Sequence, residues 1–299
     1  MCVKKNDYLF LIAIFIFSSA SVYAEMQCRF DTDQGIGALG RIEPRSRVIK
    51  VSHNAGPEGV RVEQLFFQEA DRAQSGDKLA VLSDHDKKKA EVEAASTRIK
   101  VLEAELKVEQ VVFAFNKKEH QRHASLVQNS AVSVSLADAK RLELEQSEAN
   151  LKRLAAEIAY ARAELKIVEA ELDNTFIYAP ITGTILKILT WPGERIGDKG
   201  LLEMANLTQL DVVAEIYESE LIQVKAGQTG CIDAAGFRRS YSAQVREVGF
   251  QVKKNDLNDT DPLADRDNRI IEVRLTLEPA AIADLQHQIF RQVRVRIVP

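Results

Sequence analysis

The stretch AEVEAASTRIKVLEAELKVEQVVFAFNKKEH, residues 90–120, decides how this chain is built. Within it Val92, Ala95, Ile99, Leu102, Leu106, Glu109 and Phe113 recur at alternating spacings of three and four. That is the 3.5-residue period that leads two helices to supercoil about a shared seam. From Asp84 to about Leu126 there is no Pro or Gly, and Ala, Glu, Lys, Leu and Gln dominate. An uninterrupted helix is expected, with Ser83 and Asp84 as caps. The seam runs on through Asn116, His120 and His123 to Val127, so its far half is polar. His120 and His123 read as polar seam layers rather than as a metal pair or a protonation switch.

A second stretch, Val134 to Asp173, is again free of Pro and Gly, with the seam Leu151, Leu154, Ile158, Ala161, Leu165, Val168 and Leu172. Gln128-Asn129-Ser130 between the two leaves room only for a tight reversal, which makes the pair an antiparallel hairpin. Each arm of roughly forty residues gives a rod about 60 Å long. The apolar layers concentrate at one end, Val92 to Phe113 against Leu151 to Leu172, as expected of a tight base and a tip left free for another task.

Outward from the hairpin the wording changes to short strands and turns. On the N-terminal side, Gly59-Val60-Arg61-Val62-Glu63-Gln64-Leu65-Phe66-Phe67 alternates, and Gly76 turns into Asp77-Lys78-Leu79-Ala80-Val81-Leu82. On the C-terminal side, Ala179-Pro180-Ile181-Thr182-Gly183-Thr184-Ile185-Leu186-Lys187-Ile188 leads to Pro192-Gly193-Glu194-Arg195-Ile196-Gly197 and closes with Leu201 to Met204. Gly59, Gly76, Gly183, Gly193 and Gly197 are the expected turn positions. These two related halves resemble the split biotinyl-lipoyl domain of HlyD-type membrane fusion proteins, the periplasmic adaptors, into which a coiled-coil hairpin is inserted. Where that family has Gly in the first half, this chain has Ala70 before Asp71, so an altered turn is expected there. The lysine-bearing turn of a true lipoyl carrier is where the hairpin enters, so no lipoate or other cofactor is expected.

Further on, Leu210–Glu215, Cys231–Ala234, Tyr241–Val248, Ile270–Leu277 and Val293–Val298 are strand candidates, with one helical turn at Glu218–Val224. Together they suggest a small β-barrel. The segment from Gln251 to Val273 resembles the DevB-like branch of the family, as does Gly40-Arg41-Ile42-Glu43-Pro44. The five Asp residues from Asp256 to Asp267 lack EF-hand spacing and read as a solvated loop.

At the N-terminus, Lys4 and Lys5 precede an apolar run from Tyr8 that small residues carry to Ala24. This is an export signal, either cleaved after Val22-Tyr23-Ala24 or kept as an anchor. Cys28 follows Glu25-Met26-Gln27, which does not suit lipid attachment. Cys28 and Cys231 in the exported part are expected to be unpaired thiols, a bridge between them being the alternative. A net charge of −4 with 28% charged residues leaves no basic footprint for nucleic acid. Only 6% of residues are aromatic, which suits an elongated chain better than a large core. No P-loop, GxSxG or HExxH is present, so no enzyme is expected.

The expected organisation is therefore an elongated, modular α+β chain. It has a signal or anchor segment at 1–24, a linker or strand at 25–47 and lipoyl-like halves at 48–83 and 175–206. The hairpin occupies 84–174 and a β-barrel 207–299. Adaptors that engage TolC-type channels resemble one another at the reversal, with Arg, then Leu four residues on, then Ser seven further; here these are Arg122, Leu126 and Ser133. The resemblance implies an inner-membrane-tethered periplasmic adaptor, assembled as a homo-hexamer. It would link an ABC permease and its ATPase to a TolC-like outer-membrane channel, for glycolipid or other lipophilic cargo. The alternatives are an adaptor for a proton-driven pump and a self-associating envelope coiled coil.

Overall fold

The computed structural model describes residues 28, 35–53, 59–128, 133–254 and 269–298. The signal or anchor segment, most of the reversal and the Asp-rich loop lie outside the described residues. Helix α1 spans His85–Gln128 and helix α2 spans Val134–Asp173. Three contacts give their direction. Lys88 Nζ donates to Glu171 at 2.6 Å, Arg162 Nη2 to Glu103 at 2.8 Å, and Asn116 Nδ2 to the Glu143 carbonyl at 3.3 Å. As numbers rise on α1 they fall on α2, so the helices run antiparallel. The less exposed positions of α1 are those of the expected seam, and on α2 Ser147, Leu154, Ile158 and Ala161 are buried.

Before α1 lie β1 (Ile36–Pro44), β2 (Ile49–Val51), β3 (Val62–Leu65), β4 (Arg72–Ala73) and β5 (Lys78–Leu82). After α2 come β6 (Phe176–Tyr178), β7 (Gly183–Ile188) and β8 (Leu202–Ala205). They build one sheet in the order β2-β8-β7-β4 and another in the order β3-β5-β6. Each sheet draws strands from both sides of the hairpin. Val51, Ile185 and Met204 of the first share one buried cluster with Val62, Leu79, Leu82 and Ile177 of the second. Neither half can enclose that core alone, because each sheet draws strands from both. The hairpin leaves and returns through paired strands, with Val81 opposite Phe176. There the Leu82 N–H donates to the Thr175 carbonyl at 2.9 Å, and the Thr175 Oγ1 to the Leu172 carbonyl at 2.6 Å. Lys78 Nζ sits 3.5 Å from the centre of the Phe176 ring.

The turn glycines divide. Gly59, Gly76 and Gly193 take φ of +63°, +89° and +87°, the left-handed region that favours glycine. Gly183 instead opens strand β7, where a Cβ would lie 2.6 Å from the Ala205 carbonyl oxygen; its role is close approach, not turning. Gly197 opens a turn, its carbonyl accepting from the Gly200 N–H at 3.0 Å, but it takes no left-handed φ and a Cβ there would meet nothing. Gly200, not singled out from sequence, has both: φ of +82° and the Val51 carbonyl 2.8 Å from a built Cβ. Ala70 keeps the turn rather than altering it, adopting φ of +73° while its N–H donates to the Ile185 carbonyl at 2.8 Å.

The C-terminal strands are β9 (Leu210–Tyr217), β10 (Thr229–Asp233), β11 (Tyr241–Lys254), β12 (Arg269–Leu277) and β13 (Gln292–Ile297). With β1 they close a barrel in the order β1-β13-β10-β11-β12-β9. Residues 36–44, read from sequence as linker or strand, are thus a barrel strand. A short helix α3 (Pro279–Leu285) buries Ala281 and Leu285. The described residues form two compact units, one holding both sheets, the helical pair and α3, the other built mainly from β10 to β13. Cys28 and Cys231 form a disulfide, with Cα atoms 5.5 Å apart, which overturns the expectation of free thiols. Their separation of 203 residues hid the pairing, since only barrel closure brings them together.

Candidate functional site at the hairpin tip

The distal end of the helical pair differs chemically from its base. In the seam, Asn116 reaches across to α2, Ser147 is 2% exposed with its Oγ donating to the Leu144 carbonyl at 2.9 Å, and His120 and His123 each bury an Nδ1 without a hydrogen-bond partner. Ring nitrogens without partners in a seam are a packing cost, not a gain. Glu119 lies between two neighbours: its Oε1 is 2.9 Å from Arg122 Nη1 and its Oε2 is 3.7 Å from His123 Nε2.

Beyond these layers stand the residues singled out from sequence. Arg122 has a side chain 67% exposed, held by one ion pair to a residue a turn away, which leaves most of its guanidinium donors facing solvent. Leu126, one turn further, is half-buried. Ser133 is the N-cap of α2: its backbone is extended and its Oγ accepts from the Leu136 N–H at 3.3 Å. None of the three hydrogen-bonds to another among the described residues. They share one end of the helical pair as a surface.

Two further residues of this surface were not anticipated. Val134 is 65% exposed and Leu136 43% exposed, directly after Ser133. The signal was available, because both fall off the seam of α2. An apolar residue off the seam, within a turn of the reversal, has no partner inside the hairpin. The tip therefore combines an exposed guanidinium, ion-paired to Glu119, with exposed Val134 and Leu136, a combination suited to grooves between helices of another protein.

No family model matches the chain. Among curated proteins it is similar to the pyoverdine export membrane fusion protein PvdR of Pseudomonas aeruginosa, 25% identical over 225 residues that cover 74% of this chain and 56% of the relative. It is also similar to the macrolide export protein MacA of Escherichia coli, 24% identical over 229 residues, 73% of this chain and 59% of the relative. The chain thus spans less than two thirds of the length of these relatives. Among solved structures, MacA of Actinobacillus actinomycetemcomitans superposes with a TM-score of 0.71 at 18% identity, covering 89% of this chain and 79% of that one. The membrane fusion protein Spr0693 of Streptococcus pneumoniae gives a TM-score of 0.61 at 12% identity, covering 88% of this chain and 98% of that one.

Proposed function

We propose that this chain, which is of the membrane fusion or periplasmic adaptor type, is the periplasmic adaptor of a tripartite exporter. It joins an inner-membrane ABC permease and its ATPase to a TolC-like outer-membrane channel. The carrying observation is the helical pair of 44 and 40 residues, rooted between paired β-strands and ending in exposed Arg122, half-buried Leu126 and the capping Ser133. A rod with polar layers and an exposed guanidinium at the far end suits a spacer with a docking head. The β halves around its root read as a lipoyl-like domain without lipoate, and the barrel as the domain that follows it. The protein does no chemistry; it holds two machines in register. Copies assemble as a ring of six so that cargo passes inside, and the N-terminal apolar segment tethers the ring to the inner membrane. The DevB-like wording of residues 251–273 favours glycolipid or another lipophilic cargo.

A photo-crosslinking residue at Gln121 or Ser135, beside Arg122 and Ser133, tests the docking head in whole cells. Capture of a trimeric outer-membrane channel, lost in the Arg122→Glu variant, is the expected result. Clean failure from both positions, with the protein present at normal level, sinks the reading.

A further inference from the structure

The disulfide ties down more than the barrel itself. On β10, Ile232 is fully buried and a Cβ on Gly230 would run into the Leu275 side chain, so both positions face the barrel interior. Successive strand residues point to opposite faces, which puts Cys231 on the outer wall. An outer-wall residue only 6% exposed needs a cover, and half-buried Cys28, bonded to it, supplies part of one. The chain ahead of β1 is therefore pinned to the outside of the barrel at β10.

Cys28 stands four residues after Ala24, where the apolar N-terminal run ends. Four residues span at most about 14 Å. Without the bridge the next fixed point is Gly35, where a Cβ would lie 2.7 Å from the Ile297 carbonyl oxygen of β13. That is eleven residues beyond Ala24, a reach of up to about 40 Å. The attraction of charged side chains for an anionic lipid surface fades over about 8 Å at physiological salt. The short tether holds the wall close to that range, and the long one does not.

The wall so held is basic. On β13, Arg296 lies opposite Cys231 and Arg294 opposite Asp233. On β11, Ala243 and Val245 face inward and Arg246 is exposed, while Arg238 and Arg239 are exposed in the turn after β10. Over this wall the acids are Asp233 and Glu247, ion-paired with Arg294 and Arg246. Five cations against two acids leave a positive face on a chain whose net charge is −4.

We propose that the Cys28–Cys231 bridge is a membrane clamp: it holds the arginine-bearing outer wall of β10 and β13 against the anionic headgroups of the membrane that carries the apolar N-terminal segment. This rests on the tether reading above, and adds the face of the barrel that meets lipid and the bond that keeps it there.

The test uses the full chain with Cys2→Ser, inserted in vesicles of phosphatidylethanolamine and phosphatidylglycerol that carry a headgroup quencher. A fluorophore on Gln244→Cys, on the outer face of β11, should be quenched, and one on Ser135→Cys at the hairpin tip should not. Replacing both bridge cysteines, Cys28→Ser with Cys231→Ser, should lower the Gln244 quenching at least about threefold, as should Arg238→Glu with Arg239→Glu or vesicles of phosphatidylcholine alone. Circular dichroism checks that each variant keeps its fold, and the charge variant keeps the bridge, so it reads the wall independently of any loss of stability. Intact mass separates the two readings. A mature chain lacking residues 1–24 sinks the tether and the clamp together. A retained segment with equal quenching in bridged and unbridged protein sinks the clamp and leaves the tether standing. Quenching indifferent to lipid charge and to Arg238→Glu with Arg239→Glu overturns the lipid contact, as does a Gln244 label shielded from the quencher in proportion to protein concentration, which would mean another copy covers the wall.

Discussion

The base and the tip of the hairpin use one helical geometry for opposite ends. At the base, Ile99, Leu154, Ile158 and Ala161 are 8% exposed or less, and ion pairs such as Lys88 with Glu171 lie outside the seam. At the tip the seam holds Asn116, His120 and His123, while apolar Val134 and Leu136 face outward. The same seam is thus apolar at the base and polar toward the tip. A rod needs cohesion where it is rooted and unsatisfied chemistry where it docks. The contrast can be broken at either end.

The largest effect belongs to the base. Ile158→Ala should cost about 3 kcal/mol, since it empties a closed seam layer, whereas Leu126→Ala at the half-buried tip should cost less than about 1 kcal/mol. Denaturant midpoints of the two variants check this, and similar losses would mean the tip is as tightly packed as the base. Next, His123→Leu should stabilise by about 1 kcal/mol, because it removes a buried Nδ1 with no partner. Slower hydrogen exchange in the distal turns is the readout, and destabilisation would show that the ring makes a bond worth keeping. Ser133→Ala removes the N-cap and should cost about 1 kcal/mol or somewhat less, felt as faster exchange at residues 134–137 only.

The smallest effect is a pH dependence at the root. The Tyr178 hydroxyl donates to Asp173 Oδ1 at 2.5 Å, and that bond, aided by burial and the carboxylate charge, pushes the phenol up to about 12. The folded value lies above the ordinary 10.0, so the contribution is fully present below pH 10 and is lost as pH rises through about 12. Tyr178 is half-buried and its bond to Asp173 lies at the surface, so the change is slight. Comparing the denaturant midpoint of wild type with Tyr178→Phe from pH 8 to pH 11.5 should show the extra decline only in wild type.

Why some of this was readable in advance follows from the range of the interactions. The bounds of α2, Val134 to Asp173, emerge from local pattern because helix period and capping are set within a few residues. Both β halves were recognisable by their turns, yet Gly197 and Gly200 could not be told apart. What matters at Gly200 is the Val51 carbonyl, contributed from far along the chain. The same reason hid β1 as a barrel strand and Cys28 as the partner of Cys231. At the tip, the spacing of Arg122, Leu126 and Ser133 was visible, and the off-seam positions of Val134 and Leu136 were legible too once the α2 seam is extended toward the reversal.

The pairing of Val81 with Phe176 has a consequence for evolution as much as for assembly. Because the two feet of the hairpin stand side by side on adjacent strands, the sheets beneath cannot sense how far the helices extend above them. Seven residues added to each arm would preserve the seam and the feet, and would raise the tip by about 10 Å. The insertion is therefore a ruler graduated in heptads, and the gap it spans can be retuned without redesigning the domain on which it stands.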